Sequence, residues 1–134
     1  MMTAQTAAGM VAAAKQRIEN LSVEQVEQEL SDPDVVLVDI RDSDERKATG
    51  EIPGAVHAPR GMLEFYADPA SPYHRTDLEP DRRIILYCAS SGRSALAADM
   101  LRELGYTRAA HLEGGIKAWQ AAGKGLEPVE PVSS

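Results

Sequence analysis

The sequence predicts an α/β fold in which a mostly parallel central sheet is covered by helices on both faces. Two apolar runs, VVLVDI at 35–40 and RIILYC at 83–88, are too short for buried helices and read as interior strands. RAAHLE at 108–113 reads as a further strand, and helical apolar spacing lies between these runs. Strands alternating with helices require right-handed crossovers, and therefore parallel pairing. At 134 residues the chain has room for one core and not for two.

Taken in order, residues 1–18 are expected to be a helical or frayed extension, and 19–122 the folded domain. Ser22 and Gln25 have the spacing of a capping box, and Val23, Val26 and Leu30 share one face of a short helix that ends before Pro33. After the strand at 35–40, Asp42 to Glu45 signals a second cap, and Gly50, Pro53 and Gly54 close that helix. AVHA at 55–58 predicts a small strand. The segment 61–83 contains Pro69, Pro72 and Pro80 with Phe65, Tyr66 and Tyr73, so a short helix followed by a surface excursion is expected. Leu96, Ala97, Met100, Leu101 and Leu104 then line one side of a helix over 93–104, which Gly105 ends. Gly114 and Gly115 form a tight turn into a last helix carrying Ile116, Trp119 and Ala122, and 123–134 is expected to be a flexible tail.

Composition narrows the function classes. The net charge of −7 is spread along the chain, which removes the electrostatic basis for nucleic-acid or anionic-membrane partners. No run approaches the roughly 20 apolar residues of a membrane span. The N-terminal residues lack the charge and apolar core of a signal peptide. With one cysteine there is no internal disulfide, and a reducing, cytoplasmic location is expected.

That cysteine, Cys88, stands where a strand ends and a helix begins, in YCASSGRSAL. Ligands of parallel sheets bind beyond the carboxyl ends of strands, and a helix start there offers unpaired amides and a positive dipole. If the loop curls, the amides of Ala89, Ser90, Ser91, Gly92, Arg93 and Ser94 converge on the sulfur. Gly92 would allow a close turn or a positive φ, and Arg93 adds a cation. Such surroundings favour the thiolate and stabilise an anion bonded to it. Cysteine phosphatases place five residues between Cys and Arg to fit a tetrahedral phosphate. Four residues separate Cys88 from Arg93, and the smaller ring suits a single sulfur atom.

Three motifs in register carry a family resemblance. LVDIRDSDERKATGEIPGAVHAP, LYCASSGRSALAADMLRELGY and HLEGGIKAW resemble the signatures of single-domain rhodaneses, over roughly residues 19–122. The resemblance implies a rhodanese-like fold with about five strands and an enzyme that moves sulfane sulfur from thiosulfate, or another persulfide donor, to a thiophilic acceptor. It implies that Cys88 carries the sulfur, that residues 88–93 hold it, that Ser94 supplies a first-turn hydroxyl, and that Asp39 and Arg41 support the loop. Gly114, Gly115 and Trp119 read as structural.

The implied partners are a small anionic sulfur donor and a thiol or cyanide acceptor, with a sulfur-carrier protein as a further candidate. No cofactor or metal is implied. Glu51 stands where the family usually has histidine, which would alter one rim of the site. His57, His74 and His111 lack metal-ligand spacing and read as surface or packing residues, with His74 as a candidate rim contact. A cysteine phosphatase and a non-catalytic binding module are the competing expectations.

Overall fold

The computed structural model describes residues 4–129. Among these residues, five strands form one parallel sheet: β1 (Glu19–Leu21), β2 (Val35–Asp39), β3 (Val56–His57), β4 (Arg83–Tyr87) and β5 (Ala109–Leu112). Their order across the sheet is β1-β5-β4-β2-β3. The helices are α1 (Ala7–Lys15), α2 (Val23–Glu29), α3 (Ser43–Thr49), α4 (Leu63–Ala67), α5 (Gly92–Glu103) and α6 (Gly115–Ala121), with a 3-10 turn at Arg60–Met62. Because all strands run the same way, their carboxyl ends share one edge, and β4 brings Cys88 to the middle of it.

The period-2 pleat divides the apolar residues between two layers. Val36, Val38 and Ile40 after β2, with Ile84, Leu86 and Cys88 along β4, pack against Leu63 and Ala67 of α4 and Ala97, Ala98 and Leu101 of α5. Leu37, Ile85 and Tyr87 point the other way, toward Val26 of α2 and Ile116 and Trp119 of α6. Burying each large aliphatic or aromatic side chain contributes about 1.5–3 kcal/mol. Both expected capping boxes form, Ser22 with Gln25 and Asp42 with Glu45, and start α2 and α3 where the sequence places them.

Three readings change. β1 is a strand that the polar sequence ENL does not announce, because its partner β5 and not local pattern selects it. The excursion after α4 is clamped rather than loose: Leu78 is fully buried, and Tyr106 Oη donates to the carbonyls of Ala67 and Leu78 at 2.6 and 2.9 Å. The first part of the expected tail is also held. Trp119 Nε1 donates to Gly125 O at 2.9 Å, and Glu51 and Glu127 exchange backbone hydrogen bonds of 2.8 and 2.9 Å. Residues 130–134 lie outside the described residues. No helix among the described residues is long and apolar enough to cross a membrane.

One polar knot lies under the carboxyl edge. Asp39 is fully buried and accepts from Arg41 Nε and Nη2 at 3.0 and 2.8 Å, from Arg46 Nε at 3.1 Å and from Tyr87 Oη at 2.9 Å. Burial alone would raise its carboxyl, but the hydrogen bonds and charge of Arg41 outweigh burial and hold it below the usual carboxylate range. Asp39→Ala leaves the buried Arg41 guanidinium without its carboxylate. Urea denaturation is expected to show a loss of about 3–5 kcal/mol, the cost of breaking a buried pair. A carboxyl held low stabilises above its unfolded value and loses that contribution as pH falls through the folded one. The gap between wild type and variant should therefore close below about pH 4.

Candidate active site

The segment after β4 turns away from the sheet because α6 holds its carbonyls. Ile116 N donates to Cys88 O at 3.0 Å and Lys117 N to Ala89 O at 3.2 Å. In a trans peptide the carbonyl and the following N–H point in opposite directions, and no peptide among the described residues is cis. The N–H groups of Ala89 and Ser90 therefore face away from α6. Among the described residues, none of the six backbone N–H groups of residues 89–94 has a protein acceptor. Six consecutive free donors at the head of a twelve-residue helix form a region suited to a small anion.

Gly115 makes this approach possible. Its φ is +62°, and a Cβ there would lie 2.4 Å from Ser90 O and 2.5 Å from Cys88 O. No side chain fits between the last turn and the loop. Of the two expectations for Gly92, the positive φ is not seen, and its absent Cβ faces Val11 of α1 at 3.8 Å. A side chain there would meet α1 at ordinary van der Waals distance, so the backbone does not require glycine at this position.

Cys88 is 1% exposed, so the thiol lies under the loop and not on the surface. Its Sγ is 3.5 Å from Ser94 Oγ, which places the expected first-turn hydroxyl against the sulfur. Arg93 turns outward, and its guanidinium is gripped by both oxygens of Glu45 at 2.7 and 2.8 Å. The hydrogen bonds from Arg93 hold the Glu45 carboxyl at about 2, so the pair stays charged through the neutral range. The cation expected beside the thiol is therefore committed to a carboxylate of α3. A recess of about 400 Å³ borders the loop, with Ala89 and Ile116 in its wall and Arg41, Glu45 and Lys117 around it.

Asp39 and Arg41 do not hydrogen-bond to the loop residues. They act one residue upstream, on Tyr87, whose ring also lies 5.8 Å from the Arg41 guanidinium carbon. Glu51 is engaged by Arg46, and His74 by Tyr66 O and Glu79 within the excursion, so neither side chain is free at a rim. His57 donates to Arg41 O at 2.7 Å. His111, which the sequence suggests as a packing residue, is fully buried with Nδ1 2.8 Å from Ser94 Oγ. The sequence signal for that contact is weak: β5 neighbours β4, and His111 pairs with Leu86, two residues before the cysteine. Glu45 carries no signal beyond its role in the cap.

The chain matches the rhodanese-like domain family over residues 22–122. It is 36% identical over 115 residues to a protein named sulfurtransferase from Allochromatium vinosum, covering 85% of this chain and 97% of that one. A Rhodopseudomonas palustris protein of unknown function, called a possible tyrosine phosphatase, superposes with a TM-score of 0.88 at 39% identity, covering 95% and 98% of the two chains. The polysulfide-sulfur transferase homodimer of Wolinella succinogenes superposes with a TM-score of 0.72 at 31% identity, covering 92% and 88%.

Gly115→Ala should disturb the loop directly. An L-residue at that φ costs about 1–2 kcal/mol before the overlap with Ser90 O is counted, so thermal unfolding should show a loss above about 2 kcal/mol. Gly61→Ala, where φ is not positive and nothing lies within 4 Å, is the control and should unfold like the wild type.

Proposed function

From the premise that this chain belongs to the rhodanese-like family, we propose that it is a sulfurtransferase in which Cys88 carries sulfane sulfur as a persulfide. One observation carries the reading: six backbone N–H groups without acceptors among the described residues follow the single cysteine at the carboxyl edge of a parallel sheet. The Cys88 thiolate attacks the outer sulfur of a donor such as thiosulfate. The donor S–S bond breaks, sulfite leaves with the electron pair, and a Cys88 persulfide remains. None of the loop N–H groups donates to Cys88 Sγ itself, whose one hydrogen bond among the described residues is to Ser94 Oγ; having no other protein acceptor, they would bind the terminal sulfur without first giving up a partner. A thiol or cyanide acceptor then attacks the terminal sulfur and restores the thiolate. With no second cysteine in the chain, the acceptor comes from outside.

The phosphatase reading finds less support. A phosphate needs a guanidinium facing the loop, whereas Arg93 is paired with Glu45, and four residues rather than five separate Cys88 and Arg93. The Glu45 carboxylate neutralises Arg93 at the rim, so that guanidinium adds little attraction for a doubly charged donor such as thiosulfate.

Intact-mass measurement after thiosulfate treatment should show a gain of one sulfur, about 32 Da by single-atom transfer. The gain should be absent in Cys88→Ser and removed by cyanide. No gain with thiosulfate or an organic persulfide, together with Cys88-dependent hydrolysis of an aryl phosphate, would favour the phosphatase instead. Glu45→Gln should raise kcat/KM for thiosulfate about fivefold at low salt, the scale of one partly exposed charge, and the gain should shrink as ionic strength rises.

A further inference from the structure

Behind the loop, on the side away from α6, a chain of polar contacts runs from the sulfur into the protein. Cys88 Sγ lies 3.5 Å from Ser94 Oγ, Ser94 Oγ lies 2.8 Å from His111 Nδ1, and His111 Nε2 lies 2.7 Å from Asn20 Oδ1. Cys88, Ser94 and His111 are all buried. The direction of the hydrogens follows from the outermost member. Asn20 Nδ2 donates to the carbonyls of Lys15 and Ile18 at 3.0 and 3.3 Å, so its oxygen is the atom facing His111. Nε2 of His111 must therefore carry a hydrogen, and in the neutral ring Nδ1 is then an acceptor. Burial pushes His111 below the ordinary histidine range, so the resting ring is neutral. Two acceptors lie within reach of the Ser94 hydroxyl, His111 Nδ1 at 2.8 Å and Ser91 O at 3.2 Å; Ser94 directs its one hydrogen to the nearer Nδ1 and offers a lone pair to the thiol S–H.

A second observation shows where a positive charge would rest. Glu113 Oε1 is occupied by Lys15 Nζ at 2.6 Å and Ser91 Oγ at 3.0 Å. Its Oε2 is buried, makes no hydrogen bond among the described residues, and lies 3.3 Å from His111 Nε2. A buried carboxylate oxygen without a donor is costly, and a cationic imidazole beside it offsets that cost. Glu113 beyond β5 and Lys15 of α1 are the charged groups facing the ring. From β1 it meets the Asn20 amide, and from α5 the Ser94 hydroxyl with Cys88 behind it. Arg93 is directed away to Glu45.

We propose that His111 is a positioning residue for sulfur transfer that, acting through Ser94, takes up the proton leaving the Cys88 thiol. The proposal rests on the reading of Cys88 as the sulfur-carrying nucleophile. In the step, the Cys88 S–H bond breaks and its proton joins Ser94 Oγ, while the former Ser94 hydroxyl proton joins His111 Nδ1. Serine ends neutral with its new hydrogen aimed at the sulfur. One proton has moved, leaving a thiolate and an imidazolium whose Nδ1–H now donates to Ser94. The same arrangement would then support a persulfide formed on Cys88, because the Ser94 hydrogen stays directed to sulfur while His111 remains charged.

The test is iodoacetamide alkylation of the reduced full chain from pH 6 to 10, which reads thiolate and requires no sulfur donor. Wild type, Ser94→Ala and His111→Gln are compared, with circular dichroism confirming the fold. In both variants the ratio of the rate at pH 7 to the plateau rate above pH 9.5 should fall about tenfold. The plateau itself should remain within twofold. A merely structural role would change both rates together. An unchanged ratio in folded variants overturns the proposal. If His111→Gln does not fold, the NMR titration of the His111 ring in wild type and Cys88→Ser decides. A titration that changes when the thiol is removed supports the coupling, and identical curves overturn it. Alkylation as expected in a chain that accepts sulfur from no donor would overturn the proposed function and leave the relay standing.

Discussion

The first two amides of α6 after its glycine turn, bonded to the carbonyls of Cys88 and Ala89, determine which way the loop presents its donors. A peptide plane cannot turn one end without the other, so taking the carbonyls on the α6 side sends the N–H groups to the opposite side. Everything chemical about the site depends on that division. The sulfur stands on the α5 face of β4, the carbonyls are withdrawn from it, and Gly115 lets the two segments touch without an intervening side chain. The sequence places the cysteine at the end of a strand, and α6 leaves the N–H groups of the following loop without protein acceptors among the described residues.

The polar knot below the edge does a different task. Asp39 joins β2 to α3 through Arg46 and to β4 through Tyr87, while Arg41 extends the knot to Thr49 and Gly50 O at 2.6 and 2.7 Å. Buried ion pairs often contribute little net stability because desolvation offsets their attraction. Their value here is geometric. Tyr87 is fixed at both its backbone and its hydroxyl, Ile40 N donating to its carbonyl and Ile52 N to its oxygen, so the residue before the cysteine is held in place. Support of this kind fixes the backbone before Cys88 without any side-chain contact to the loop itself.

Electrostatics at the rim oppose the simplest view of the site. An arginine beside a thiol suggests attraction for anions, yet Arg93 is paired with Glu45, and the chain as a whole is acidic. The donors that remain for a guest are backbone N–H groups, which carry partial charge and are uncovered at short range. Attraction of that kind favours a small sulfur atom already within the loop over a large anion approaching from outside.

Much of the architecture was legible in the chain. Apolar runs at 35–40 and 83–88, the two capping boxes and the glycines at 105, 114 and 115 are local signals, since pattern and backbone freedom act within a few residues. The same is true of Cys88 at a strand end with a helix behind it. What stayed hidden is non-local. ENL becomes a strand only because β5 offers its edge, and residues 124–127 are held only because Trp119 and Glu51 reach them. Likewise Arg93 turns outward because Glu45 lies within reach, and His111 meets Ser94 because neighbouring strands bring residues seventeen apart to 2.8 Å. By itself the sequence determined the elements other than β1, their order and the position of the thiol, because those follow from short-range propensity and period. Tertiary structure alone decided the partners of each charge and the direction of each hydrogen bond, because these depend on distances that exist only once the sheet has assembled.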